Sequence, residues 1–265
     1  MSTTLFLKEL KGSLFSSGVI AAVLALYIVC IVYMFDPEIA ESLDLIIATM
    51  PELCAAFGMA NATDTLLGFL LNYLYGFVFT WLPLLMIMIL ANRMVVRPID
   101  RGSMAYLLAS PTSRLSLALT FALTLATMLA ALMAVIVALQ VACAEAFFPG
   151  DLDVEGLLQA SAGLYCLWLF LGGLCFLSAC AFKDARLALW AGGGLCLALF
   201  LVQMVAGVGE GIEVLQTFNP VELYDPYALA AGEDGAVGNS GILGVSGIAL
   251  MAAGTAIFCR RDMNV

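Results

Sequence analysis

The sequence contains no histidine among its 265 residues. This absence excludes the Ser-His and Cys-His pairs of nucleophilic catalysis and the usual nitrogen ligand of zinc and haem. The chain also lacks the glycine-rich phosphate-binding run G-x-x-x-x-G-K-[ST] and any C-x-x-C pair. We therefore expect no catalysis, no bound cofactor and no metal site in this chain.

Charged residues are scarce: they make up 11% of the chain, whereas 63% of the residues are hydrophobic. A soluble domain carries about 25% charged residues, because its surface must stay hydrated. The composition therefore predicts an integral membrane protein embedded in the lipid bilayer. A net charge of −10 also disfavours nucleic acid as a partner.

The apolar residues fall in six runs, each close to the roughly 17–25 residues that a helix needs to cross a bilayer. The predicted spans are 18–35, 66–91, 115–144, 160–182, 187–208 and 240–259. No small-x-small cleavage site follows the first run, so we interpret it as a retained span and not as a signal peptide. The expected fold is a single all-α transmembrane domain, 1–265, with six transmembrane helices.

The basic residues predict the orientation of these spans. All ten Lys and Arg lie before the first span, between the second and third, between the fourth and fifth, or after the sixth. Positive residues are retained on the cytoplasmic side, so both termini are predicted to be cytoplasmic. The inner segments also hold four of the twenty acidic residues and the outer segments hold sixteen, which gives a net +6 inside and −16 outside.

The first residues of the chain predict an amphipathic helix on the inner membrane surface. Within 3–15, Phe6 and Leu10 share one helical stripe, and Lys8 and Lys11 lie opposite. The alternative is a charged lead-in to the first span. At the outer surface, the spacing of apolar residues predicts further amphipathic segments at 37–57 and 213–229.

Polar residues within the predicted spans are few. They either form hydrogen bonds between helices or line a substrate path. The main ones are Asn72, Thr80, Gln140 and Gln203. No ionisable residue is predicted near the centre of a span, which argues against a proton-coupled transporter. Glycines at helix-packing spacing, such as Gly244 and Gly247, predict close contacts between helices.

Most of the eight cysteines lie inside apolar runs, where a free cysteine packs as a small hydrophobic residue. Cys54 and Cys143 both belong to predicted outer regions. A disulfide between these two residues is left open.

The inner segment 93–114 carries apolar residues where a connecting loop would be polar. Met104, Leu107 and Leu108 form an apolar patch between charges, and such a patch in the cytosol indicates a protein partner or the membrane surface. Ser110 followed by Pro111 is a signal for the start of the next helix.

The run 100–114 resembles the acidic-x-Gly…Leu-Leu…Pro-x-Ser-Arg signature of type-2 ABC exporter permeases, the membrane subunits of bacterial ATP-driven efflux systems. Residues 3–15 are similar to the elbow helix of that family, and 50–58 resembles an outer stretch common in it. The ending 258–262 looks like its aromatic-x-Arg-Arg-Asp tail. The order of segments and the loop lengths agree along the whole chain.

The resemblance implies a short coupling helix between spans two and three that docks on a separate ABC ATPase subunit. The residues that map onto the coupling segment are Arg97, Asp100, Arg101, Gly102, Tyr106, Leu107, Leu108, Pro111 and Arg114. Those of the elbow helix are Phe6, Lys8, Glu9, Leu10 and Lys11. Asp100 stands where glutamate is common in the family, which leaves the start of the coupling helix open.

The resemblance further implies a non-catalytic subunit in the bacterial cytoplasmic membrane, paired with a second permease copy, alike or related. ATP and Mg would bind the partner ATPase, not this chain. The alternative from another class is a stand-alone transporter or channel with no ATPase. An intramembrane enzyme is disfavoured by the missing histidine and by the lack of paired intramembrane acids.

We expect the predicted orientation to be visible in reporter fusions. Alkaline phosphatase should be active when fused after Ala60, Gly150 or Gly235, because it folds only outside the cytoplasm, and inactive after Ala105. A fluorescent protein at the C-terminus should fluoresce. Phosphatase activity at Ala105 with none at Gly150 would reverse the orientation.

Overall fold

This computed structural model describes residues 3–35, 49–50, 65–100, 113–206 and 219–260, with the backbone alone at 99–100 and 206, and most of these residues are helical. No strand occurs in these ranges. The predicted outer segment 37–57 lies almost entirely outside the described residues, as do residues 213–218 of the predicted segment 213–229. Cys54 lies outside them too, so its pairing with Cys143 stays open.

Six helices are long and apolar enough to cross a membrane, which confirms the six predicted spans and indicates a multi-pass membrane protein. They are α1 (Thr3–Met34), α2 (Leu66–Val96), α3 (Arg114–Phe147), α4 (Val154–Ala181), α5 (Ala185–Val205) and α6 (Ala236–Arg260). Between α5 and α6 in the chain lies a segment with the 3-10 turn Pro220–Leu223 and the short helix Pro226–Ala230. We call residues 219–230 the cap segment.

α1 is one continuous helix of 32 residues. The sequence predicts two elements here, a surface helix over 3–15 and a separate span from residue 18. The junction does not break, because Gly18 is the only helix-weakening residue there and costs about 1 kcal/mol relative to alanine. The hydroxyl of Ser16 donates to the carbonyl of Ser13 at 3.1 Å within the helix.

α3 begins later than the sequence indicates. Its N-cap is Ser113, whose hydroxyl accepts a hydrogen bond from the amide of Ser116 at 3.2 Å. The interpretation of Ser110 as the cap of this helix is therefore wrong. Ser110 and Ser113 are three residues apart, and the sequence alone does not decide which of them caps the helix.

α4 lies at the centre of the bundle. In its most apolar window 72% of the residues are buried, against 28% in α1 and in α5. It packs on α2, α3, α5 and α6. The outer helices present apolar side chains to the surroundings, as expected where lipid and not water is the solvent.

Pro83 explains how α2 attaches to α4. Proline has no N–H, so the carbonyl of Phe79, one turn earlier, loses its partner within the helix. The indole Nε1–H of the fully buried Trp168 donates to this carbonyl at 2.8 Å. The backbone hydrogen bond lost within α2 is thus replaced by a hydrogen bond between α2 and α4. The replacement is needed because hydrocarbon offers the carbonyl no other partner.

Contacts between helices define two ends of the bundle. At one end α2 meets the start of α1 through Arg93 and Gly12. At the other, Phe35 packs edge-on against Phe69 and Phe148, with ring centroids 5.4 and 5.2 Å apart. The first we call the basic end, because it carries the described Lys8, Lys11, Arg93, Arg97, Arg114, Lys183, Arg186 and Arg260. The second, the acidic end, carries the described Glu145, Asp151, Asp153, Glu155, Glu222, Asp225, Glu233 and Asp234.

The backbones of α4 and α6 touch at glycines, as the sequence predicts. A Cβ added to Gly247 would lie 2.5 Å from the carbonyl carbon of Leu169, and one added to Gly173 would lie 2.6 Å from the carbonyl oxygen of Gly247. No flexible side chain could move aside, because the obstructing atoms are backbone. The two helices run in parallel along this seam, which continues to Gly244.

We expect Gly247→Ala to destabilise the protein by about 1–3 kcal/mol, because the new methyl group must push two backbones apart. Gly241→Ala is the matched control, since Gly241 lies on the same helix with nothing within 4 Å of an added Cβ. Thermal unfolding in detergent measures both. Equal stability of the two variants would contradict close packing at Gly247.

Candidate functional site

The segment predicted to dock on a partner is described only at its two flanks. Arg97–Asp100 forms one more turn of helix after α2, and Arg97 is exposed. Arg114 is the first residue of α3 and is also exposed. The other predicted coupling residues lie outside the described residues, namely Arg101, Gly102, Tyr106, Leu107, Leu108 and Pro111. Both flanks are at the basic end, so residues 101–112 connect α2 to α3 there.

The predicted elbow residues form the first turns of α1. Phe6, Glu9 and Leu10 are partly buried, whereas Lys8 and Lys11 are exposed. Leu7 and Leu14, which share the predicted apolar stripe, are also exposed, so the surface helix stays a prediction. The residues continue directly into the span.

Arg93 links the start of α1 to the end of α2. Its guanidinium donates a hydrogen bond to the carbonyl of Gly12. Gly12 leaves room for this approach, because an added Cβ would overlap the guanidinium as it is placed. The last turns of α2, which lead into Arg97–Asp100, are therefore tied to α1. The contact joins residues 81 positions apart, and no spacing in the sequence signals it.

Two of the four predicted intramembrane polar residues hold the cap segment against the bundle. The hydroxyl of Tyr227 donates to the side-chain carbonyl of Asn72 on α2. The amide of Asn219 donates to Oε1 of Gln203 on α5 at 2.8 Å, and Gln203 in turn donates to Glu222. Burial, and next the charge of Asp225, raise the pKa of Tyr227 well above its ordinary value. Its hydroxyl therefore remains a donor at neutral pH.

The other two lie near Tyr75, whose side chain is 1% exposed. The hydroxyl of Tyr75 shares a hydrogen bond of 2.7 Å with that of Ser161 on α4, and the amide of Gln140 on α3 donates to it at 3.4 Å. Thr80 donates to the carbonyl of Tyr75 at 3.5 Å, within α2. The structure does not bring the four predicted polar residues together in one site. Most of their side-chain hydrogen bonds join one helix to another or to the cap segment.

A small cavity of about 10 Å³ lies near the basic end between α2, α4 and α5. Its lining includes residues from two π-helical turns, Asn92–Val96 in α2 and Trp190–Gly194 in α5. Such turns inside α-helices are frequent at functional sites, because each contains an extra residue that redirects side chains. Hydrophobic periodicity does not reveal π-helical turns, so the sequence did not predict this cavity. The three consecutive glycines 192–194 were the available signal.

Comparison with family models, curated proteins and solved structures found no match to this chain. The assignment of function therefore depends on the residues themselves and on the resemblance carried by 100–114.

We expect Tyr227→Phe to loosen the cap segment. Loss of one hydrogen bond costs about 1 kcal/mol, so hydrogen exchange of the amides in 226–231 should accelerate roughly fivefold. Tyr33→Phe is the control, because Tyr33 is 72% exposed on α1. Unchanged exchange in Tyr227→Phe would show that the bond to Asn72 does not hold the cap segment.

Proposed function

We propose that this chain is the transmembrane subunit of an ATP-driven ABC exporter and that residues 97–114 couple it to a separate ATPase. The observation that carries the proposal is the run 100–114, which combines the family-like signature with a location between α2 and α3 at the basic end. The basic end would face the cytoplasm, where the ATPase lies, because positively charged segments are retained there. The membrane would be the bacterial cytoplasmic membrane.

In this proposal ATP binding closes a pair of ATPase subunits and moves the docked segment. Three connections carry that motion into the membrane. Arg97–Asp100 continues α2, Arg114 begins α3, and Arg93 ties the end of α2 to Gly12 of α1. The elbow residues thus move with the coupling segment through one side-chain hydrogen bond.

The chain performs no chemistry of its own in this scheme. ATP and Mg bind the partner, and the chain supplies half of a substrate path with a second copy or a related permease as the other half. The cap segment contacts α2 and α5 at the acidic end through Asn72 and Gln203.

We expect a tagged chain to co-purify with an ATPase from its native membrane and to stimulate ATP hydrolysis. Arg97→Glu reverses an exposed charge on the proposed docking segment and should weaken the complex about tenfold. Arg260→Glu is the matched control, because Arg260 is exposed at the same end but lies at the end of α6. Co-purification and ATPase assays in detergent measure both variants.

Equal ATPase binding by Arg97→Glu and by the native chain would refute the docking assignment. If no ATPase co-purifies and liposomes containing the chain alone show transport driven by an ion gradient, the chain is the stand-alone transporter of the alternative hypothesis.

A further inference from the structure

Two cysteines from different helices meet inside the bundle. Cys175 of α4 and Cys196 of α5 are 4% and 0% exposed, and their sulfurs are 3.9 Å apart. Both residues are free thiols. They are 21 positions apart in the chain and meet because the turn 182–184 folds α5 back along α4. Two thiols in contact have the composition of a reduced disulfide.

The backbones of α4 and α5 are close at this point. A Cβ added to Gly192 would lie 2.9 Å from the Cα of Cys175, so the two helices touch one turn before Cys196. On the other side, the thiol of Cys196 lies 3.9 Å from the carbonyl oxygen of Leu171, one turn before Cys175. Cys196 therefore packs on the turn of α4 between Leu171 and Cys175.

The directions of the two side chains favour a bond between the sulfurs. The Cα–Cβ bond of a helical residue tilts toward the N-terminus of its helix. Since α4 and α5 are antiparallel, Cys175 and Cys196 lean toward each other. A disulfide has an S–S bond of about 2.05 Å, so the two sulfurs need to approach by about 2 Å. Rotation of both side chains acts in that direction.

Cys175 is the thiol that a small oxidant reaches first. It lines the cavity of about 10 Å³ described above, a space of the size of one water molecule. Asn92 and Leu189 line the same cavity and are only partly buried, so the cavity reaches the surface of the chain. Among the common oxidants of thiols, hydrogen peroxide is the closest to this size.

We propose that Cys175 and Cys196 form a redox-active pair, which hydrogen peroxide oxidises to a disulfide that joins α5 covalently to α4. The sulfur of Cys175 attacks one peroxide oxygen, the O–O bond breaks, and the departing hydroxide leaves as water with the thiol proton. The sulfur of Cys196 then attacks the sulfenic acid so formed. An S–S bond replaces the S–O bond, and the hydroxyl group leaves as a second water with the proton of Cys196. The two thiols lose two electrons, and one peroxide is reduced to two waters.

Oxidation would restrict α5 next to its π-helical turn Trp190–Gly194, which ends two residues before Cys196. A thiol reductant reverses the bond by exchange, so the restriction lasts only while the oxidant prevails. The pair is a property of the chain itself and does not depend on the proposed ATPase partner.

The test treats the full chain, reduced and in native membrane vesicles, with hydrogen peroxide. The remaining thiols are then alkylated under denaturing conditions, and the chain is digested without reduction. Trypsin cuts after Lys183 and Arg186, so the disulfide should join peptides 115–183 and 187–260. Further digestion with chymotrypsin, which cuts after Phe176, separates Cys175 from Cys180. The linked mass should accumulate with peroxide and be lost after reduction.

Cys175→Ser and Cys196→Ser should each abolish the linked mass. Cys180→Ser is the matched control and should keep it, because Cys180 is also buried on α4. The linked mass of the native chain already identifies both cysteines, so the result does not depend on the folding of a variant. Hydrogen exchange of the amides in 190–196 should slow after oxidation of the native chain and not of Cys196→Ser.

Three results would overturn the proposal. The first is absence of the linked mass at a peroxide concentration that oxidises the exposed Cys30. The second is a linked mass that persists in Cys175→Ser or Cys196→Ser, because other cysteines would then form the bond. The third is unchanged hydrogen exchange in 190–196 after the bond has formed, because the disulfide would then not restrict α5.

Discussion

The backbone contact of α4 and α6 at Gly247 is the interaction on which the rest of the bundle depends. α4 is the most buried of the six helices and packs on four of the others, and its backbone contacts that of α6 with no side chains between them. Lipid is as apolar as leucine, so close van der Waals contact, and not water exclusion, holds such helices together. Once α4 is fixed, Trp168 can reach the free carbonyl beside Pro83, and Ser161 can reach Tyr75.

The lipid surroundings also explain the hydrogen bonds between helices. A polar atom within hydrocarbon has no water to bind, so a hydrogen bond to another part of the protein stabilises it. Tyr75 links α2, α3 and α4 in this way, while Asn72 and Gln203 reach out to the cap segment. The few polar residues within the spans therefore join neighbouring helices and attach the cap segment to the acidic end of the bundle.

The six spans could be predicted from the sequence, because the length of an apolar run and the position of basic residues report directly on the bilayer. The close contact of α4 and α6 at glycines could also be predicted, from the spacing of the glycines in the sequence. The sequence did not predict that 3–15 continues into the first span, or that Ser113 is the N-cap of α3. Neighbouring residues at both places permit several helix starts. Arg93 with Gly12 and Cys175 with Cys196 escaped prediction for another reason: tertiary packing alone joins residues so far apart.

The π-helical turn Asn92–Val96 has a consequence for which changes in length the chain could accept. A residue in an α-helix is rotated by about 100° from the one before it, and a π-turn holds one residue more than an α-turn. Deleting a single residue within 92–96 would restore an ordinary helix while turning everything that follows by that angle. Insertions and deletions at this one turn would redirect the segment after Arg97 while leaving the helical register of the residues before Asn92 unchanged.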